Sequence, residues 1–343
     1  MRVKVGREQA GPAIMAGADT IDPAEHPVTY PFDIEQIFPA ESVRLPRRQA
    51  GGSPQDLTLT LLADYTAYTG AWLPSAAIVA LLAEAGVSTA GARAAVSRLA
   101  RRGVLDAGRQ GRNTHYRLAP AAAADLVAGG RWIASYGTDA ETWDDRWTLL
   151  AFSLPQEATT QRRALRNHLR WMGYAPLYDA LWISPREFSE QAWTALTGVT
   201  PDAVTIFRAQ HVDLMNGSGR HPLDAWDIDA IAAQYDAFLQ RWLPVVPDIR
   251  AEQVPGPDAV RARTEIIDAY RRFSTIDPRL PDKLLPEGWL RQPARDVFAA
   301  VYDGLAAPAE QHVRAVVAAH SSGAEPRIHA NTVGDLLLGR LSD

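Results

Sequence analysis

The chain has 343 residues, 22% of them charged, a formal net charge of −5 and no cysteine. At roughly 100–200 residues per domain, two or three domains are expected, and the missing thiols exclude disulfides, thiol nucleophiles, iron–sulfur clusters and cysteine zinc sites. No apolar run approaches the ~18 residues that span a bilayer, and the opening MRVKVGREQA lacks the apolar stretch of a secretory signal, so the cytoplasm is the expected location.

Residues 1–54 hold seven prolines, with Gly51-Gly52 near the end and no apolar period. They read as an extended or disordered leader, or as a misassigned start. Arg44, Arg47 and Arg48 would form a basic arm if the leader touches DNA. Order begins near Asp56. The run DLTLTLLADYTAY carries Leu57, Leu61, Leu62 and Tyr65 at helical spacing, with Asp56 in the place of a cap and Thr69-Gly70 as its end. Pro74 stands where a first helical turn accepts proline, and Ile78, Val79, Leu81 and Leu82 continue a second helix to Gly86. Ser88-Thr89 opens a third helix, STAGARAAVSRLARRG, whose Ala92, Ala95, Val96 and Leu99 form one stripe. Val104-Leu105-Asp106, the turn GRQGRN and Thr114 to Leu118 read as a hairpin. Three short helices and a hairpin are the plan of a winged helix-turn-helix, here over residues 55–120.

Charge points the same way. From Ser88 to Leu118, seven arginines (Arg93, Arg98, Arg101, Arg102, Arg109, Arg112, Arg117) stand against one acid, Asp106, a net +6 in an acidic chain. A local basic stripe is the footprint of phosphate binding. With Ala92, Val96 and Leu99 inward, successive steps of about 100° turn Ala90, Ala94, Ser97 and Arg101 outward, flanked by Arg93 and Arg98. Small residues among arginines let a helix approach the floor of a major groove. Ser88 and Thr89 open the recognition helix, and Thr89 can meet a phosphate. Arg93 and Ser97 are best placed for base edges. Arg98, Arg101 and Arg102 are placed for phosphates, and Arg109, Arg112 and Asn113 sit at the tip of the wing. His115 and Tyr116 alternate on the return strand, so one of them is packed.

Residues 121–145 read as a linker helix broken by Gly129-Gly130. Residues 146–222 follow a β-α-β-α-β order: a strand WTLLAFSL, a helix Ala158 to Met172, a strand at Leu181, a helix Arg186 to Thr197 and a strand at Thr205. That order suggests a ferredoxin-like α/β domain. Residues 223–320 are helical, with Ile228, Ile231, Tyr235, Phe238, Leu239 and Trp242 on one face, then helices Arg261 to Phe273, Arg295 to Leu305 and Glu310 to Ala319. Residues 321–343 read as a tail. The fold class is α+β.

Three blocks of this chain resemble the PaaX family of bacterial transcriptional repressors, over about residues 56–320. The first is AGVSTAGARAAVSRLARRGVLDAGRQGRNTHYRL. The second is WTLLAFSLPQ with RNHLRWMGYAPLYDALWISP. The third is AWDIDAIAAQYDAFL with IDPRLPDKLLPEGWLRQPARDVFAAVY, of which Asp277 to Trp289 is the most specific part. The resemblance implies a homodimeric repressor of a catabolic operon, typically for aromatic acids such as phenylacetate, released from DNA by the CoA thioester of the pathway substrate. It also implies a central domain similar to the small nuclease of the CRISPR adaptation complex.

A metal-dependent nuclease of that fold needs an acid at the end of its first strand. Phe152 and Ser153 occupy that end, while Asp144 and Asp145 precede the strand, so a scaffold or dimer contact is expected instead. His211, Asp213, His221, Asp224 and Asp227 fit no standard metal spacing, and Asp227 or Asp229 can cap the next helix. No metal or other cofactor is expected. An aromatic acyl-CoA needs a greasy cleft with cations for its phosphates, and Trp226, Tyr235, Arg271 and Trp289 are the residues named for one between the central and C-terminal domains. Expected partners are therefore a partly palindromic double-stranded operator, a small effector and a second copy of the chain, with no membrane. The competing readings are a metal-dependent nuclease or hydrolase docked on DNA by its winged helix, and a structural DNA-binding protein with no effector.

Overall fold

The computed structural model describes residues 53–138, 142–155, 157–188, 204–212, 219–321 and 325–340. Residues 1–52 of the expected leader and the segment holding Asp213 lie outside them, while Ser53 and Pro54, expected in the leader, cap and open the first helix.

Helix α1 (Pro54–Thr66) begins one turn earlier than expected, because its cap is Ser53 rather than Asp56. The Ser53 hydroxyl accepts from the Asp56 N–H at 3.2 Å and donates to the Asp56 carboxylate at 2.9 Å, a reciprocal closure of the first turn. A two-residue strand β1 (Leu73–Pro74) leads into α2 (Ser75–Glu84). Pro74 pairs with His115 across this strand and caps α2, so it precedes the helix rather than opening its first turn. A short turn through Gly86, at φ +82°, leads to α3 (Thr89–Arg101).

Strands β2 (Leu105–Gln110) and β3 (Asn113–Leu118) pair along their whole length. The loop is thus the two residues Gly111-Arg112, not the six of GRQGRN, and Gly111 takes the positive φ that so short a turn demands. The sheet order is β1-β3-β2.

Helix α4 (Pro120–Ser135) runs unbroken through Gly129-Gly130. The reason is tertiary: a Cβ on Gly130 would lie 2.9 Å from Leu336 Cδ2, so the glycine admits helix α12 (Val333–Leu338) at close range.

The central part has strands β4 (Trp147–Phe152), β5 (Ala175–Tyr178), β6 (Leu181–Ser184) and β7 (Val204–Ala209), with helix α5 (Thr159–Trp171) after β4. Their order is β5-β6-β4-β7, every neighbouring pair antiparallel. The sequence reading missed β5. Pro176 argues against a strand, yet β5 is at the sheet edge, where proline is tolerated. The helix expected from Arg186 does not start there, since Arg186–Phe188 are irregular and residues 189–203 lie outside the described set. One sheet face packs Leu150, Phe152 and Trp182 under Leu165 and Leu169 of α5, and the other packs Trp147, Leu177 and Ile183 under Trp143, Leu223 and Trp226.

The C-terminal helices are α6 (Ile228–Trp242), α7 (Val246–Arg250), α8 (Gly256–Tyr270), α9 (Phe273–Ile276), α10 (Arg291–Gly304), α11 (Ala306–His320) and α12. Helix α8 lies on α1, and α11 lies on α2. A single hydrophobic core therefore runs from α1–α3 into the C-terminal helices, so residues 55–120 and 223–320 pack as one body.

A polar knot fastens the same seam. Arg263 of α8, with no exposed surface, donates to Asp64 of α1 at 3.1 and 2.6 Å, to the Asn331 carbonyl at 2.6 Å and to the Tyr302 carbonyl. Tyr302 donates its hydroxyl to Asp64 at 2.5 Å. Burial pulls the Arg263 guanidinium toward neutrality, but the Asp64 carboxylate outweighs it and holds the charge. Residues 325–340, expected as a tail, close the knot: the N–H groups of His329 and Asn331 donate to the carbonyls of Tyr65 and Asp64.

Candidate nucleic-acid interface

Helix α3 owes its start to Ser88, whose hydroxyl accepts from the Gly91 N–H at 3.1 Å. It then sorts its residues cleanly. Ala92, Ala95, Val96 and Leu99 are buried against α1 and α2. Ser88, Thr89, Ala90, Arg93, Ala94, Ser97, Arg98, Arg101 and Arg102 are exposed. The outward face is thus a strip of small side chains, Ala90, Ala94 and Ser97, edged by arginines. At 1.5 Å per residue the helix is about 18 Å long, and its bare strip suits a groove about 12 Å wide.

The hairpin continues the basic surface. Arg109, Arg112 and Asn113 are exposed at its tip. Arg117, counted with the basic stripe in the sequence, is engaged within its own hairpin. Its Nε donates to Asp106 at 3.1 Å, and its guanidinium lies 4.8 Å from the Trp72 ring. This pairing removes the sole acid of the segment, so the remaining six arginines keep the net +6. Arg93, Arg98, Arg101, Arg109 and Arg112 make no ion pair with any described residue. Of the alternating pair on β3, His115 is the packed one, and Tyr116 is half-buried.

Sequence reasoning passed over Trp72. It sits beneath the hairpin, where a Cβ on Gly108 would lie 3.0 Å from its ring, and it holds Arg117 as well. An aromatic just before Leu73-Pro74, opposite a glycine in the hairpin, was the available signal.

The four residues named for an effector cleft do not converge. Tyr235 is fully buried, donates to Asp277 at 2.6 Å, shares a 2.7 Å hydrogen bond with the Tyr136 hydroxyl and stacks on Phe273. Asp277 in turn accepts from Arg291 at 2.9 and 3.0 Å. Burial pushes the Asp277 carboxyl up, but the Arg291 bonds outweigh that and hold it below its usual value. Trp289 meets Tyr235 edge-on at 5.7 Å. Trp226 stacks on Trp147 under the central sheet, and Arg271 is paired with Asp268.

The histidine–aspartate cluster is engaged locally. His221 and Asp224 form a reciprocal capping box, Asp227 caps α6 through the Ala230 N–H at 2.9 Å, and the His211 and His221 rings meet edge to face at 5.2 Å. Among the described residues no three His, Asp or Glu side chains are grouped to hold a metal. Asp144 pairs with Arg208 and Asp145 with Lys283. Among the described residues no helix is long and apolar enough to cross a membrane.

Comparison with known proteins gives three domain matches in chain order. Residues 53–122 match the family model "PaaX-like protein", residues 140–219 the "PaaX protein central Cas2-like domain" and residues 226–315 the "PaaX-like protein C-terminal domain". The Transcriptional repressor PaaX of Escherichia coli (strain K12) is 28% identical over 260 residues, which is 74% of this chain and 81% of that protein. Among solved structures, the uncharacterized protein Rv0674 from Mycobacterium tuberculosis has a similar fold, with a TM-score of 0.50 and 18% identity over 78% of this chain and 98% of its own. Three successive matches to the domains of one family, together covering more than half of the sequence, place this chain in the PaaX family.

Proposed function

We propose that this protein is a DNA-binding transcriptional repressor, a regulator and not an enzyme. The observation that carries the reading is the exposed face of α3, a small-residue strip bordered by Arg93, Arg98 and Arg101, which make no ion pair with any described residue. Residues 55–120 are read as a winged helix-turn-helix: α3 enters the major groove, Arg93 and Ser97 meet base edges, Ser88, Thr89, Arg98, Arg101 and Arg102 meet phosphates, and Arg109, Arg112 and Asn113 reach the duplex from the wing. The central sheet, in which the third strand lies beside the first, the second lies beyond the third at one edge and the fourth closes the other edge, is read as ferredoxin-like. A homodimer would place two copies of α3 on half-sites about 10 bp, or a multiple, apart in a partly palindromic operator. The relative's name, Transcriptional repressor PaaX, supports the same direction of control.

The regulated genes are proposed to be catabolic, and the releasing signal an acyl-CoA thioester of an aromatic acid, favouring a conformation whose helices miss the operator spacing. For its site the proposal keeps the residues named from the sequence, Trp226, Tyr235, Arg271 and Trp289, of which Tyr235 and Trp289 are in contact. The test is a thermal-shift and DNA-release titration with acyl-CoAs and their free acids. Release by one thioester and not by its acid supports the reading, and no shift with any member of the panel refutes it.

A further inference from the structure

Helix α5 buries Leu165 and Leu169 against the central sheet and turns its arginines to the side. With about 100° per residue, Arg163, Arg166 and Arg170 fall within about 60° of one another, a single stripe. Arg163 and Arg170 are exposed and Arg166 is half-buried. Arg163 and Arg166 make no ion pair or hydrogen bond with any described residue, while Arg170 lies over the Trp182 ring at 5.6 Å. Arg162 is different: it donates to the carbonyls of Leu154 and Pro155, both at 3.0 Å, and so ties down the start of the helix. No acid occurs from Ala158 to Tyr178. His168 adds no charge at neutral pH, since burial lowers its pKa.

We propose that this stripe is a second phosphate-binding surface, holding the backbone of duplex DNA outside the segment read by α3. The inference rests on the DNA-binding reading and extends it to the central domain. Shape selects the ligand class. From Arg163 to Arg170 the stripe runs about 10 Å along a convex helix, which suits a linear polyanion, whereas a small phosphate ester needs donors converging in a concavity. The exposed neighbours Thr159, Thr160, Gln161 and Asn167 are polar, which favours a phosphate backbone over a lipid surface that takes apolar side chains. A cluster this basic in a chain of net charge −5 is also not a by-product of overall composition.

The test is an anisotropy titration of the full chain on its upstream duplex and on a random duplex of about four helical turns, between about 50 and 200 mM salt. In Arg163→Gln/Arg166→Gln, loss of two phosphate contacts should reduce the salt slope by about 2, so the affinity lost across that salt range shrinks about twelvefold. The change should be equal on both duplexes, and Arg163→Lys/Arg166→Lys should keep the wild-type slope. An unchanged slope in a variant that melts like wild type would overturn the inference, as would a loss confined to the upstream sequence. Wild-type slope on DNA with lost binding to phosphatidylglycerol vesicles would reassign the stripe to lipid. Failure of the wild-type chain to bind either duplex would instead sink the DNA-binding reading and this surface with it.

Discussion

The substitution Asp64→Asn tests whether the DNA-reading helices are a free module or part of the C-terminal body. It keeps the shape of the side chain and removes its charge. Arg263 has no exposed surface and Asp64 is the only carboxylate it pairs with among the described residues, so the guanidinium would be left buried and uncompensated. Removing one partner of a buried pair costs about 3–5 kcal/mol. For a cooperative unit of roughly 200 residues, each kcal/mol is worth about 2–4 °C, so the melting midpoint should fall by roughly 10 °C. Because one core joins α1–α3 to α6–α12, calorimetry should show the transition containing the reading helices and the C-terminal helices moving as one. The double variant Asp64→Leu/Arg263→Met should lose much less than the single one, since an apolar pair of similar volume leaves no buried charge. Two separable transitions with only one displaced, or a shift below about 3 °C, would refute the reasoning.

Three further outcomes follow from the same structure. Arg93→Ala should cost about 1–3 kcal/mol of operator affinity and less on random DNA, whereas Arg112→Ala should weaken both alike and lower the salt slope by about 1; paired titrations distinguish the two. Ending the chain after residue 321 removes the irregular segment that closes the Arg263 knot and the helix seated on Gly130, so the shortened protein should lose its cooperative melt, and an unchanged melt would contradict the packing. Asp125 is raised to about 6 by burial. Its folded-state value lies above its unfolded one, so its contribution is most favourable below about pH 4 and is lost as pH rises through about 6. Asp125→Asn should therefore raise the melting temperature at pH 8 and have little effect at pH 4, and an equal effect at both would count against the assignment.

The reading helix was legible because its signals are local. Serine at the cap, a four-residue apolar stripe and arginines elsewhere fix α3 without reference to any other element. The paired signs at α1 were harder: Ser53 and Asp56 each hold the other, so Asp56 alone looked like the cap. Where the sequence misled, distant contacts had overruled local preference. Gly129-Gly130 does not break α4 because Leu336 needs the space. Pro176 stays in a strand because that strand is an edge. The segment after residue 321 is short and Gly-containing, and nothing in its own pattern reveals that its backbone completes the shell of Arg263. The effector residues show the opposite limit. An aromatic at helical spacing looks the same in a core as in a binding cleft, and only the Tyr136–Tyr235–Asp277–Arg291 chain of hydrogen bonds shows that Tyr235 is fully engaged in packing. Arg117 likewise counted as a free cation until Asp106 and Trp72 were placed beside it.

The most direct measurement is an equilibrium titration of the full chain against its own upstream intergenic duplex at one stated ionic strength, with a scrambled duplex and the Arg93→Ala protein in parallel. Binding should be at least a thousandfold tighter to the upstream duplex than to the scrambled one, with about 5- to 150-fold of that preference lost in Arg93→Ala. Equal affinity for both duplexes, or full selectivity without Arg93, would contradict the placement of α3 as the element that reads sequence.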